Sequence, residues 1–248
     1  MDKQESRVVV VTGAGSGIGR ATAEYLAERG AQTVLFGRSE QQLMAAARQI
    51  PRSVPVVGDV TRASDVVRLF ETVAQRFGGL DGLFVNAGVA EFTSLADADL
   101  EQYQRLFDTN VKGAFLTIQQ AAPLLREGSS VVFTSSVAAE IGAPWCSLYG
   151  ASKGAVTALA RNVAAELLPR GVRVNVISPG PTETPILGKA QVSEQGMQEM
   201  SSYVMARMRL GRLGRPEEIA AAVAFLLSAE SSFIVGQNLA VDGGMSGL

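Results

Sequence analysis

Residues 8–30 read VVVVTGAGSGIGRATAEYLAERG, a run of four valines that breaks into a glycine-rich turn and then into a segment of helical period. A β-branched run without polar alternation belongs to a strand covered on both faces. The glycines do not follow the G-x-G-x-x-G pattern, because a register from Gly13 would need glycine at Ile18 and one from Gly15 would need it at Arg20. Gly13, Gly17 and Gly19 give G-x-x-x-G-x-G instead. Glycines there let the backbone turn tightly and approach a pyrophosphate, whose charge is met by the amides opening the next helix. A plain strand-to-helix turn takes glycine as well, so the surrounding chain has to decide.

Outward from this unit the rhythm repeats. QTVLFG precedes SEQQLMAAARQI, VPVVGD precedes RASDVVRLFETVAQRFG, and LDGLFVNAG precedes a long helical stretch to Arg126. SSVVFTSS, the helical ASKGAVTALARNVAAELLP, VRVNVISPG and GQNLAVDGG continue it. Apolar strands alternating with helices predict a doubly wound α/β fold with a mostly parallel sheet of about seven strands. Residues 1–248 are expected to form one domain, with an insertion at about 181–215 that is rich in Met, Gly, Ser and Gln. Such an insertion suits a lid or substrate loop first, with a plain surface helix pair as the alternative. In sheets of this type ligands lie beyond the carboxyl ends of the strands.

Composition excludes several classes. A net charge of -2 and a pI near 5.4 give no field to hold nucleic acid. The chain has one cysteine, Cys146, and no histidine, so an intrachain disulfide is impossible and no metal site is expected. Its N-terminus reads as a strand rather than a signal peptide, and the late apolar run AAAVAFLLSA is far short of the roughly 18 to 20 residues of a spanning helix. A cytoplasmic protein without a membrane partner is the expectation. The basic run RMRLGRLGRPEEIA reads as a helix start at Pro216.

Two positions speak to chemistry. At the end of the second strand, where an acidic residue would bind the adenosine ribose of NAD, the sequence has Gly37-Arg38-Ser39. A guanidinium with a neighbouring hydroxyl suits a 2′-phosphate, which favours NADP(H) while leaving NAD(H) open; a solvated arginine is the plainer reading. Tyr149 and Lys153 stand four residues apart, on one face of a helix. An ammonium near a phenol favours the phenolate and would draw the tyrosine down from about 10 toward neutrality.

The motifs then accumulate in one order: TGAGSGIG, GDV at 58–60, NAG at 86–88, NVKG at 110–113, Ser136 with YGASK, SPG at 178–180 and VDGG at 241–244. Over essentially its whole length the chain resembles the short-chain dehydrogenase/reductase superfamily, in its single-domain Rossmann-fold branch. The resemblance implies Ser136, thirteen positions before Tyr149, as the residue binding the substrate oxygen, with Ser135 a strand-end neighbour. It implies Tyr149 as general acid/base, Lys153 on the nicotinamide ribose, and Asn110 as support for a water linking the lysine to solvent. Cofactor contacts would fall to Gly13, Ser16, Gly17, Ile18, Gly19, Arg38 and Ser39. Further along they would include Asp59, Val60, Asn86, Ala87, Gly88, Pro179, Gly180, Thr182 and Thr184, together with Tyr149 and Lys153. Asp59 also suits a helix cap, and SPGPTETP a proline-rich turn.

The implied activity is an NADP(H)-preferring carbonyl reductase or alcohol dehydrogenase acting on a small-molecule ketone or secondary alcohol, with Val137, Ile141, Trp145 and Leu187 lining an apolar pocket. Trp145 fits a core position nearly as well. The family also implies a homotetramer. Two alternatives stand beside this: a dinucleotide-sensing regulator without chemistry, which has no use for a Ser-Tyr-Lys set, and another reaction on the same scaffold such as enoyl reduction, in which the tyrosine and lysine tend to be spaced further apart.

Overall fold

The computed structural model describes residues 7–185 and 194–248. Seven strands form one sheet: β1 (Val8–Thr12), β2 (Gln32–Gly37), β3 (Ser53–Val57), β4 (Leu80–Val85), β5 (Leu125–Thr134), β6 (Arg173–Pro179) and β7 (Asn238–Val241). Their order is β3-β2-β1-β4-β5-β6-β7, and every neighbouring pair is parallel. Between them run α1 (Gly17–Glu28), α2 (Glu40–Gln49), α3 (Ala63–Phe77), α4 (Leu100–Phe107) and α5 (Gly113–Ala121). Beyond β5 come α6 (Ser147–Leu167), α7 (Glu194–Arg207) and α8 (Pro216–Leu227). Among the described residues no helix is long and apolar enough to cross a membrane.

The valine run shows why both faces of the sheet are covered. Val8 and Val10 point into one core with Leu69 and Phe70 of α3, Ile118 of α5 and Val156 of α6. Val9 and Val11 point into the other with Leu26 of α1, Leu43 of α2 and Val223 of α8. A strand whose alternate side chains both meet helices gains nothing from a polar face. The order reverses between β1 and β4, where the chain switches from winding one way to winding the other, and a crevice opens there at the carboxyl edge.

Three boundaries differ from the sequence reading. The helical stretch expected to reach Arg126 ends as α5 at Ala121, because Pro123 carries no amide and the chain tightens into one 3-10 turn at Ala122–Leu124 before entering β5. Upstream, α4 and α5 are separated by a π-helical turn, Asp108–Lys112, which contains Asn110. In the 181–215 segment, where a lid or substrate loop is the first expectation and a surface helix pair the alternative, α7 supplies a helix, and Thr182 and Gly214 are joined by a bridge. The Glu183 amide donates to the Gly214 carbonyl at 2.9 Å, and the Gly214 amide to the Pro181 carbonyl at 2.9 Å. The basic run beside it is consumed locally: Arg212 pairs with Glu218 at 2.7 Å, and Glu218 also accepts from the Arg215 amide as α8 begins.

Candidate active site

A cleft of about 960 Å³ follows the carboxyl edge of the sheet across the switch point. Its near end is the turn after β1, where Gly13 and Gly17 have φ of 69° and 53°, a left-handed backbone that glycine adopts without strain. A Cβ on Gly19 would stand 2.3 Å from the Gly13 carbonyl oxygen, so α1 can close onto the turn only as built. Ser16, at the N-cap of α1, makes no side-chain cap bond, and the first turn holds no acidic residue. Amides left without a side-chain partner at a helix start, beside a glycine turn on a cleft, fit the pyrophosphate of a dinucleotide.

The walls are tied together by one hydroxyl. Thr12 Oγ1 donates to the Phe84 carbonyl at 3.3 Å and accepts from the Asn86 and Ala87 amides at 2.9 and 3.0 Å. Asn86 Nδ2 donates to the Thr12 carbonyl at 3.0 Å, and Thr134 Oγ1 donates to Asn86 Oδ1 at 3.3 Å. Thus the ends of β1, β4 and β5 are held in register by side chains, where the ladder itself has stopped. Sequence reasoning singled out Asn86 and passed over Thr12, whose role depends on two amides more than seventy residues away.

At the far end, Ser136 N-caps the 3-10 turn Val137–Ala139, accepting from the Ala138 amide at 3.2 Å, and its hydroxyl stands close enough to the Tyr149 phenol to favour the phenol's ionised form. Tyr149 lies in the first turn of α6, and the Phe92 ring meets it edge-on with centroids 5.5 Å apart. Lys153, one turn further along α6, is 5% exposed; its Nζ donates to the Thr134 carbonyl at 2.9 Å and lies 6.0 Å from the centre of the Tyr149 ring. Gly88 faces both partners of this corner, since a Cβ there would be 3.3 Å from Lys153 Nζ and 3.1 Å from Asn110 Oδ1. Asn110 Oδ1 accepts from the Val89 amide at 2.8 Å, while its Nδ2 donates to the Val89 carbonyl and to Ser152 Oγ, each at 3.0 Å. Both amide donors are therefore spent on protein, holding the post-β4 loop against α6 through Ser152, a residue the sequence reading did not single out. Ser135 braces the same helix, with Oγ 3.0 Å from the Lys153 carbonyl and 2.7 Å from Thr157 Oγ1.

The electrostatics correct one expectation. Tyr149 keeps part of its surface on the cleft, yet burial pushes its phenol up to about 12; the Ser136 hydroxyl opposes this, and the nearby Cys146 adds to it. Lys153 does not draw the phenol down, because its ammonium is directed to the Thr134 carbonyl and is itself depressed by burial to about 8.

Most of the residues expected at the site line this cleft. Gly13, Ser16, Gly17 and Ile18 form its near end, Arg38, Ser39 and Val60 one flank, and Asn86, Ala87 and Gly88 its floor. Ser136, Tyr149 and Lys153 stand with Val137 and Ile141 at the far end, opposite Pro179, Gly180, Thr182 and Thr184. Gly19 and Asn110 sit just behind the surface and support it. Asp59 does not line the cleft: its carboxylate accepts from the Thr61 amide at 2.9 Å and approaches Arg38 at 4.0 Å, while its own amide donates to Asp65 at 3.0 Å. Trp145, expected in the pocket, does not line it either. It turns the chain at φ 60°, and its carbonyl accepts from the Thr93 amide at 3.0 Å. Leu187 lies outside the described residues. Cys146, Phe92 and Tyr203 line the wall instead, and Tyr203 donates its hydroxyl to the Gly142 carbonyl, a contact between distant segments that no local pattern announces.

Known proteins agree with this geometry. The family model described as enoyl-(acyl carrier protein) reductase matches residues 13–246. The chain is 41% identical over 243 residues to oxidoreductase asL5 of Sarocladium schorii, covering 97% of this chain and 96% of that one. Among solved structures, a short chain dehydrogenase from Burkholderia cenocepacia J2315 in complex with NADP superposes with a TM-score of 0.87 at 32% identity, covering 97% of both chains. A 3-ketoacyl-(acyl-carrier-protein) reductase from Brucella melitensis complexed with NADH gives 0.89 at 29%, covering 98% of this chain and 99% of that one. The chain belongs to the short-chain dehydrogenase/reductase family and is an oxidoreductase of that family, whose members bind NAD(P)(H).

The buried lysine makes stability depend on pH. Below about 8 its ammonium is charged in folded and unfolded chains alike, and burial costs the folded state in full. As pH rises from about 8 toward the ordinary 10.5, the folded group loses its proton first and the penalty fades, a gain on the order of 3 kcal/mol. Lys153→Met lacks this gain. Urea midpoints at pH 7, 8, 9 and 10 are expected to show the variant losing ground to the parent across that interval; parallel curves would refute the depressed value.

Proposed function

We propose that the protein is an NADP(H)-preferring carbonyl reductase or alcohol dehydrogenase acting on a small-molecule ketone or secondary alcohol. The observation that carries the reading is that Ser136, Tyr149 and Lys153, the last one helical turn beyond the tyrosine, line one cleft together with an uncapped helix start behind a glycine turn. The nicotinamide supplies or accepts the hydride when bound. Everything else falls to the chain's own groups. Ser136 offers a hydroxyl to the substrate oxygen, and Tyr149 holds the proton that this oxygen gains or loses. With its phenol up at about 12, Tyr149 is protonated at neutral pH and holds a proton that a carbonyl oxygen can take as it is reduced. Lys153, fixed by the Thr134 carbonyl, presents its remaining donors toward the ribose position beside Gly88. The Asn110 side chain, with both amide donors engaged, acts by holding Val89 and Ser152.

Enoyl reduction, the reaction in the matching family's description, uses the same scaffold; the one-turn spacing of Tyr149 and Lys153 favours carbonyl chemistry. A lone cysteine and the lack of any possible intrachain disulfide suit a reducing, cytoplasmic setting.

Tyr149→Phe removes the acid/base oxygen and keeps the ring that packs on Phe92. Turnover of a ketone is expected to fall by at least about a hundredfold with NADPH binding, followed by fluorescence, little changed. A variant that reduces the ketone at near the parent rate would overturn the assignment and leave the reading as a dinucleotide sensor open.

The cofactor preference rests on Arg38, a half-exposed guanidinium on the cleft with only a long contact to Asp59, next to Ser39 at the start of α2. A charge-assisted contact there is worth about tenfold or more in affinity, its exposure keeping it at the low end. The nearest atom to a Cβ added at Gly37 is Leu43 Cδ1 at 3.4 Å, so an aspartate fits. Gly37→Asp with Arg38→Leu is expected to reverse the preference in kcat/KM from NADPH to NADH; a parent that uses NADH as well as NADPH would refute it.

A homotetramer is the proposed assembly. Tyr103 of α4, Phe115 of α5 and Phe225 of α8 are large apolar side chains more than a third exposed, on faces that a two-fold partner would use twice. Sedimentation at micromolar concentration is expected to give four chains, and a monomer would refute it.

A further inference from the structure

Charge is distributed unevenly along the cleft. Among the described residues, the charged side chains that line it are Arg38, at the flank assigned to the adenosine, and Lys153, already bonded to the Thr134 carbonyl. Around the reacting pair Ser136 and Tyr149 the walls are hydrocarbon: Phe92 on the post-β4 loop, Val137 and Ile141 after β5, Met200 and Val204 on α7, and Met245 beyond β7. Among the described residues, several ions on the neighbouring segments are engaged away from the cleft. Glu91 pairs with Arg105 at 2.9 Å, Glu140 accepts from Asn238, and Arg207 lies 4.8 Å above the Tyr203 ring without lining the cleft.

Neutral polar side chains on the described walls are few: Ser201 of α7 and Thr184 line the cleft, and Thr182 donates to the Gly180 carbonyl. Tyr203 has spent its hydroxyl proton on the Gly142 carbonyl, and Ser135 is engaged with Lys153 and Thr157. Cys146 is held as a neutral thiol by burial, which pushes it up to about 11, and behaves as a small apolar surface. Beyond the two groups that meet the reacting oxygen, these walls leave a substrate few hydrogen-bonding partners. Among the described residues of these walls no cation stands to replace the hydration that a carboxylate, phosphate or sulfonate would lose, and most extra hydroxyls of a polyol would be buried without a partner.

We infer that the cleft takes an uncharged ketone, or the corresponding secondary alcohol, with a hydrocarbon body, and rejects anionic and polyhydroxylated substrates. This rests on the reading of the site as a carbonyl reductase. It narrows that reading, since the matching family's description and a solved relative both name acyl-carrier-protein substrates.

The test uses a matched pair, 4-methylcyclohexanone and 4-oxocyclohexanecarboxylate, which differ by a methyl against a carboxylate on the same ring. Initial rates with NADPH and with NADH at neutral pH are expected to give kcat/KM for the methyl ketone at least about tenfold above that for the carboxylate. A second arm adds the missing cation: Ile141→Lys, checked for folding by retained NADPH binding, is expected to raise the carboxylate's relative kcat/KM by at least about tenfold. Equal use of both ketones by the parent, or preference for the carboxylate, overturns the inference while ketone reduction stands. An unchanged ratio in Ile141→Lys overturns the placement of the substrate against this wall. Turnover of neither ketone by a parent that binds NADPH overturns the carbonyl-reductase reading and this inference with it.

Discussion

The constraint on which everything else hangs is that seven strands run the same way. Parallel neighbours cannot be joined by tight turns, so each connection must cross back over a face, and the helices that do so cover both sides of the sheet. All the strands then deliver their last residues to one edge. Because the order reverses between β1 and β4, the connections part there, and the cleft is the gap they leave. Thr12, Asn86 and Thr134, the side chains that stitch the rim, all stand where strand hydrogen bonding has just ended.

Within the cleft, burial and hydrogen bonding pull the two titrating groups in opposite directions. The same lack of water raises the phenol of Tyr149 and lowers the ammonium of Lys153, so each is biased toward its neutral form. The Thr134 carbonyl and the Ser136 hydroxyl are the counterweights, one favouring the charged lysine and the other the ionised tyrosine. The proposed acid/base role thus falls to a phenol and an ammonium, in a chain that lacks imidazole altogether.

How much of this the sequence disclosed follows from the range of the interactions. The valine run, the glycine turn and the Tyr149–Lys153 spacing are local patterns with local causes, and they lead to the strand, the helix start and the corner of the cleft where Tyr149 and Lys153 stand. Ser136 was reached through motif order. What escaped depends on contacts between distant segments: Thr12 bonding to Asn86 and Ala87, Asn110 bridging Val89 to Ser152, Tyr203 meeting Gly142. Trp145 was placed in the pocket on proximity to Tyr149 along the chain, but a positive φ redirects the backbone just before α6. The sign of the Tyr149 shift was misjudged for a related reason, since burial is a property of the whole assembly of elements and a two-residue spacing rule carries no information about it.

The joined ends of the 181–215 excursion bear on how such an enzyme can change. Thr182 and Gly214 stand side by side, so the thirty-odd residues between them leave the sheet and return at one point. The entropy of closing such a loop rises only with the logarithm of its length, so gaining or losing several residues inside it costs a fraction of a kcal/mol. None of the seven strands would have to move. One wall of the cleft, the one carrying Met200, Tyr203 and Val204, is in this sense an exchangeable part mounted on a fixed sheet edge, and a lineage could reshape that wall while Ser136, Tyr149 and Lys153 stay as they are.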